Sequence, residues 1–280
     1  MREIDVKAVT DAVAEGFIGI NYRLSDDMEL AVKTAVLRET SPIGCEVLSL
    51  LCDNLAVAEN DLIPICQDTG MAVVFMEIGQ DVHFIGGDIN EAVNEGVRRA
   101  YRDGYLRKSV VGDPIIRKNT GDNTPAIIHT SIVPGDRVTL TMTAKGFGSE
   151  NTSRTFMLKP SDGREGIIDA VLTAVRDAGA NACPPMVIGV GIGGNFEKCA
   201  LMAKHALTRE VGKYSDDNDT AELEKELLEK INSLGIGPAG LGGDTTALAV
   251  NVETYPTHIA GLPVGVNICC HVNRHKKAVI

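Results

Sequence analysis

Glycine accounts for 29 of the 280 residues, while Trp is absent and Tyr and Phe number only 5 and 6. Such a chain has to build its core from aliphatic side chains and to route its connections through backbone that glycine adopts most freely. At 44% hydrophobic and 23% charged residues, it has the balance of a globular chain that buries a core, not of a disordered one. Its apolar residues follow two periods. Met28, Leu30, Ala31, Val32, Ala35 and Val36 at helical spacing behind Asp26-Asp27 predict a helix stopped by Thr40-Ser41-Pro42. Pro42 opens a second helix with Ile43, Val47, Leu50, Leu51 and Leu55, and its Cys45 and Cys52 read as small core hydrophobes. Further helices are predicted at Ile89 to Asp103, stopped by Gly104, at Gly166 to Ala178, at Glu197 to Arg209, and at Ala221 to Asn232 behind Thr220.

Strand-like runs lie at Met71 to Ile78, Ala126 to Val133, Val138 to Thr143, Met186 to Gly191, Thr246 to Val252 and Val264 to Cys269. Pro134-Gly135-Asp136 reads as a short turn joining the second and third of these. Interleaved helices and strands without a repeat predict an α/β chain of mixed α+β type. The expected layout is a single domain over 1–280, with a helical N-terminal lobe about 1–61 followed by a mixed sheet flanked by helices. The acidic run Ser215 to Glu229 reads as the solvated face of a helix and its lead-in.

With 27 Lys+Arg against 38 Asp+Glu the net charge is −11, which argues against a nucleic-acid surface. No run reaches the roughly 18 consecutive apolar residues of a membrane helix. MREIDVKAVT carries no signal-like apolar run, so the expected compartment is the cytoplasm. Seven cysteines then read as core thiols or metal ligands instead of a disulfide framework.

Three of the cysteines stand in loop-like surroundings: Cys66 in ICQDTG, Cys183 in NACPP, and Cys270 in CCHVNRH. None makes the close C-x2-C pair of a zinc site, and spacing alone leaves ordinary loop thiols as the simpler account beside an iron–sulfur cluster. A cluster on three thiolates would keep one iron open for Lewis-acid chemistry on an oxygen substrate. Gln67 and Asp68 would then lie beside it, and His258 and His271 could tune it or move protons, unless each simply bonds to backbone. A polyacid substrate needs local cations in an acidic chain. Arg107, Arg117 and the Lys145-Gly146-Phe147-Gly148 loop are candidates, with exposed solubilising charge as the plain alternative. The glycines of Gly189 to Asn195 do not match G-x-G-x-x-G, so close backbone packing explains them better than a nucleotide. Gly235 to Asp244 likewise lacks a phosphate-binding Lys.

Taken together, CQDTG at 66–70, RKNTGDNTP at 117–125, KGFGSEN at 145–151, ACPP at 182–185, the glycines from 189, GGDTT at 242–246 and CHVNR at 270–274 resemble the iron-dependent class I fumarate hydratases. The likeness is nearest to the alpha subunit of the two-subunit form shared with L(+)-tartrate dehydratase, and it covers nearly the whole chain. The resemblance implies an oxygen-sensitive 4Fe-4S cluster on Cys66, Cys183 and Cys270, with Cys269 as the alternative third ligand. It implies a substrate pocket lined by Gln67, Asp68, Arg107, Lys145 and Gly148, with Gln67, Asp68, Arg107 and His258 as catalytic residues. Single-chain relatives continue into a second domain, whereas this sequence ends at Ile280. A separate beta subunit is therefore the expected partner in a hetero-oligomer acting on fumarate, malate or tartrate. An iron–sulfur redox sensor or scaffold is the reading from a different class, and a nucleotide-binding module is the weakest.

Overall fold

The computed structural model describes residues 1–280, and the chain divides into two compact units. Their chain order is interleaved: one comprises Met1–Ser25, Asn54–Phe147 and Arg274–Ile280, the other Asp26–Asp53 and Gly148–Asn273.

The first unit starts with strand β1 (Arg2–Asp5) and helix α1 (Val6–Tyr22). The Asp5 carboxylate accepts from Lys7 N–H as the N-cap, and Val6, Val9, Val13, Phe17 and Ile20 form the buried stripe. Helix α2 (Asp26–Arg38), which belongs to the second unit, and helix α3 (Pro42–Asp61), which the first unit includes only from Asn54 on, follow in the chain where their apolar spacing predicts. Cys45 and Cys52 on α3 are only half-buried, because that face of the helix is incompletely covered.

Strands β2 (Met71–Gly79) and β3 (Val82–Ile85), helix α4 (Ile89–Asp103), and strands β4 (Ile127–Val133) and β5 (Val138–Lys145) complete most of the unit. Strand β10 (His275–Val279) closes a sheet of order β10-β5-β2-β4, in which β2 runs parallel to β4 and antiparallel to β5. The expected turn at Pro134–Asp136 therefore does not pair the strands it joins. Instead β2 lies between them, and the turn folds over the end of β2 through Asp81 N–H to Gly135 C=O at 3.0 Å. The core of this unit sets Val9, Val13 and Phe17 of α1 and Val93, Val97 and Ala100 of α4 against Val74, Met76, Leu140 and Met142.

In the second unit a one-turn helix α5 (Phe147–Glu150), which begins on the last residue of the first, replaces the open loop expected after Lys145. Then come β6 (Arg154–Leu158), α6 (Gly163–Ala178), β7 (Met186–Gly193), α7 (Phe196–Ala206), α8 (Asn218–Asn232), β8 (Ala247–Tyr255) and β9 (Leu262–Cys269). The sheet order is β6-β9-β7-β8, with β8 parallel and β9 antiparallel to β7. Alternation along β7 separates its two faces. Met186, Ile188 and Val190 join the core with α6 and α8, while Gly189 and Gly191 meet α7. A Cβ added at Gly191 would lie 2.1 Å from Cys199 C=O, so glycine is required for this approach and the close-packing reading of these glycines holds.

Two local expectations are corrected. The N-cap of α8 is Asp217, whose carboxylate accepts from Thr220 N–H at 2.9 Å. Glu224, within the acidic run read as solvated, is fully buried: it accepts from Ser215 N–H and Val252 N–H and pairs with Arg209. No helix is long and apolar enough to cross a membrane.

Candidate functional site

In the first unit the loop Cys66–Gly70 runs from the end of α3 into β2, and its backbone is held at nearly every step. Ile65 N–H donates to Asn21 C=O at 2.9 Å and Ile65 C=O accepts from Asn54 Nδ2 at 3.0 Å. Asp68 C=O accepts from Arg274 Nη2 at 2.8 Å. The Tyr101 hydroxyl donates to Thr69 C=O and Gly70 C=O, each at 2.8 Å, and Asn123 Nδ2 also reaches Gly70 C=O. Burial pushes the Tyr101 phenol well above its ordinary range, which keeps it a proton donor to this loop. Cys66 is half-buried and Gln67 exposed, so the two residues between the pinned points face outward from the packed loop.

The Asp68 carboxylate accepts from Gly70 N–H with one oxygen (3.0 Å) and from Phe147 N–H with the other (2.8 Å). Gly146 leaves room for this carboxylate, since a Cβ on it would sit 3.1 Å from Asp68 Oδ2. Lys145 is 1% exposed and its Nζ donates to Gly146 C=O at 3.0 Å, so it buttresses this turn. Arg107 presents an exposed side chain while its carbonyl accepts from Thr69 Oγ1 at 3.0 Å. Arg117 is also exposed, in the left-handed region at φ 60°.

Cys183 and Cys270 belong to the second unit and are brought together there. Cys183 sits exposed between α6 and β7, at φ 53°, and its carbonyl accepts from His271 Nδ1 at 3.1 Å. The bland reading of His271, a bond to backbone, is thus realised, and the bond it makes joins two cysteine-bearing segments. Cys269 is the last residue of β9, buried and paired across the ladder with Val187, whereas Cys270 lies half-buried just past the strand. Gly148 lies beside the same loop, with its Cβ position 3.9 Å from Asn181 C=O. The 235–244 segment supports the loop from another side, Ala239 N–H donating to Pro184 C=O at 2.9 Å.

His258 is elsewhere in this unit, exposed, in a hollow of about 510 Å³ with Arg164, Thr257 and Ile259. Its Nδ1 accepts from Ala260 N–H at 3.2 Å, which puts the proton of the neutral ring on Nε2.

The GGDT segment holds an anion of the chain's own. Glu39, 6% exposed, accepts from the backbone N–H groups of Thr40, Ser41, Asp244 and Thr245. Burial pushes its carboxyl up, but the amides of Asp244, Ser41 and Thr245 outweigh that and hold it below the usual range. A Cβ at Gly243 would come within 2.6 Å of Glu39 Oε1 at φ 133°, so this glycine makes the cradle possible.

The supports of these loops, Arg274, Tyr101, Asn123 and Glu39, carry no local signal, since nothing in spacing distinguishes a buried Arg from a solvated one.

The sequence matches known proteins along almost its whole length. The family pattern described as Fumarate hydratase (Fumerase) matches residues 10–279. A protein named "Putative L(+)-tartrate dehydratase subunit alpha" from Methanocaldococcus jannaschii is 43% identical over 272 residues, covering 95% of each chain. Proteins named L(+)-tartrate dehydratase subunit alpha from Escherichia coli K12 and Shigella sonnei are each 30% identical over 272 residues, covering 96% of this chain and 89% of theirs.

Proposed function

The chain belongs to the fumarate hydratase (Fumerase) family, and on that premise we propose that it is the cluster-bearing alpha subunit of a cytoplasmic hydro-lyase acting on a small dicarboxylate. The reaction is the reversible hydration of fumarate to L-malate, and a separate beta subunit completes the site in a hetero-oligomer. One observation carries the reading: CQD at 66–68 is fixed at its flanks and at the Asp68 carboxylate while Cys66 and Gln67 stay open. Such fixation beside an exposed amide and a half-buried thiol suits a loop that presents groups to a ligand.

The donor set fits an iron–sulfur group. Cys66, Cys183 and Cys270 are all outside disulfides, at least partly open, and carried on loops tied down by backbone hydrogen bonds. Cys269 is buried inside the sheet and offers no such opening, which favours Cys270 as the third ligand. Bound there, a 4Fe-4S cluster supplies a Lewis-acidic iron for the substrate oxygen. The protein's own groups do the rest. The Arg107 guanidinium pairs with a substrate carboxylate, and the Gln67 amide and the N–H groups around Gly148 orient the substrate against it. Lys145 acts from beneath, by holding the Gly146 carbonyl. Asp68 handles the proton of the departing or entering water while a base exchanges the proton at C3, and His258 carries a proton on Nε2.

Anaerobic iron and acid-labile sulfide analysis is the first test. About four irons per chain and an air-bleached band near ~400 nm support the reading. A chain that takes up no iron even beside the beta subunit refutes it. Asp68→Asn is expected to lower turnover far more than iron content, and loss of iron with unchanged activity per cluster would reject its role. Tartrate dehydration is the second reading, favoured by the names of the relatives above. Comparing kcat/KM for malate and L(+)-tartrate on the assembled complex decides between them.

A further inference from the structure

Arg274 is 2% exposed, the largest fully buried side chain in the protein, and its guanidinium meets no carboxylate. Nη1 donates to Asn21 Oδ1 and Nη2 to Asp68 C=O, both at 2.8 Å, while the buried Nε has no partner. Burying a cation against two neutral acceptors is costly, so the residue is poorly explained as a contribution to stability.

What its two arms hold is specific. Asn21 sits near the end of α1, where its Nδ2 donates to Phe17 C=O at 2.8 Å. Its own carbonyl accepts from Ile65 N–H. Asn21 thus anchors the entry of the 66–70 loop at Ile65, and Arg274, gripping Asn21 with one nitrogen, grips Asp68 three residues later with the other. Only Cys66 and Gln67 lie between the two fixed points. A Cβ on Gly146 would be 3.1 Å from Asp68 Oδ2 and 3.8 Å from Arg274 Nη2, so both side chains border the same glycine. The planar fork spans two acceptors at set separation, which an ammonium on a flexible stem does not reproduce.

We propose that Arg274 is a positioning residue whose fork, closed on Asn21 and the Asp68 carbonyl, sets the orientation of Cys66, Gln67 and the Asp68 carboxylate. The kinetic consequence rests on the hydratase reading; the structural one does not.

The test uses the full chain carrying Arg274→Gln, Arg274→Lys and, as a local control, Thr143→Val. The control removes the 2.8 Å bond from Thr143 Oγ1 to the Arg274 carbonyl but leaves the guanidinium in place. In the cluster-free chain, amide hydrogen exchange at Ile65 and Gly70 and iodoacetamide alkylation of Cys66 are expected to rise about tenfold in Arg274→Gln. Cys52 serves as the internal reference, and Thr143→Val should stay near the parent. In the assembled complex, Arg274→Gln should lower kcat about tenfold with KM for malate within about threefold, and Arg274→Lys should recover part of the loss.

Unchanged exchange and alkylation overturn the proposal, as does an equal rise in Thr143→Val. If Arg274→Gln does not fold, Asn21→Ala, which releases the same arm from the other side, must give the same exchange pattern or the proposal fails. A parent complex without hydratase activity that still shows the exchange difference refutes the function and leaves the clamp standing.

Discussion

Gly191→Ala tests the packing of α7 on β7 directly. The added methyl would be 2.1 Å from Cys199 C=O, 2.8 Å from Ala203 N and 2.8 Å from Met202 Cβ, all in α7, so it meets mostly helix backbone that cannot swing aside. Normal carbon–oxygen contacts lie near about 3.3 Å, so α7 must retreat by roughly 1 Å. Cys199, Met202, Ala203 and Ala206, all buried on that helix, move with it. Overpacking of this kind costs about 1–3 kcal/mol, and backbone that cannot rotate away puts it near the upper end. The lost freedom of the unfolded chain returns about 0.4–1 kcal/mol. The net expectation is a destabilisation of about 2 kcal/mol, or about 4–8 °C in Tm at the scale of a large domain. Urea and thermal unfolding followed by circular dichroism measure it. Gly19→Ala is the control, since nothing lies within 4 Å of its Cβ position in α1, and it should stabilise by about 0.5–1 kcal/mol. A Gly191→Ala protein as stable as Gly19→Ala would refute the claim that this glycine exists for close approach.

Three further outcomes follow from carboxylates held by hydrogen bonds. Glu39→Ala leaves the N–H groups of Ser41, Asp244 and Thr245 without their acceptor and should cost about 3 kcal/mol or more in urea unfolding; a loss under about 1 kcal/mol would mean that the cradle is not structural. Glu224→Ala strands Arg209 and the amides of Ser215 and Val252, so about 3–5 kcal/mol is expected, against less than about 0.5 kcal/mol for exposed Glu222→Ala. Burial pushes Asp122 up, but the Thr124 amide and hydroxyl, the Arg98 guanidinium and the Thr120 hydroxyl outweigh it and hold its carboxyl down at about 2. Its folded value lies below its unfolded one, so its contribution is present above about pH 4 and fades as pH falls toward 2. The gap in urea midpoint between the parent and Asp122→Asn should shrink from pH 6 to pH 2.5, and a gap independent of pH would contradict the assignment.

Local grammar made much of the fold legible. Helix α4 announced itself through helical spacing and Gly104, and Asp88 indeed caps it with its carboxylate on Glu91 N–H. Strands β2, β7 and β9 were legible because buried central strands are apolar runs. Strand β10 was not, since Lys276 and Lys277 on an exposed edge look like a tail. Pairing was the harder question: β4 and β5 are neighbours in sequence, yet β2 takes the place between them, and no local signal encodes that. At the site, the motifs supplied the cysteines, Gln67 and Asp68, but the residues that hold them come from far along the chain. Arg274 and Tyr101 carry no mark of burial in their surroundings, and Glu224 shares its segment with solvated acids.

The interleaved chain order of the first unit has a consequence for how it is made. Its sheet needs β10 beside β5, and its 66–70 loop needs Arg274, yet both lie beyond the entire second unit in order of synthesis. A nascent chain can therefore complete the Cys183 and Cys270 segments while the Cys66 loop still waits for its last anchor. The loop bearing Gln67 and Asp68 is set only when Arg274 has left the ribosome, so a segment translated early gains its last anchor late.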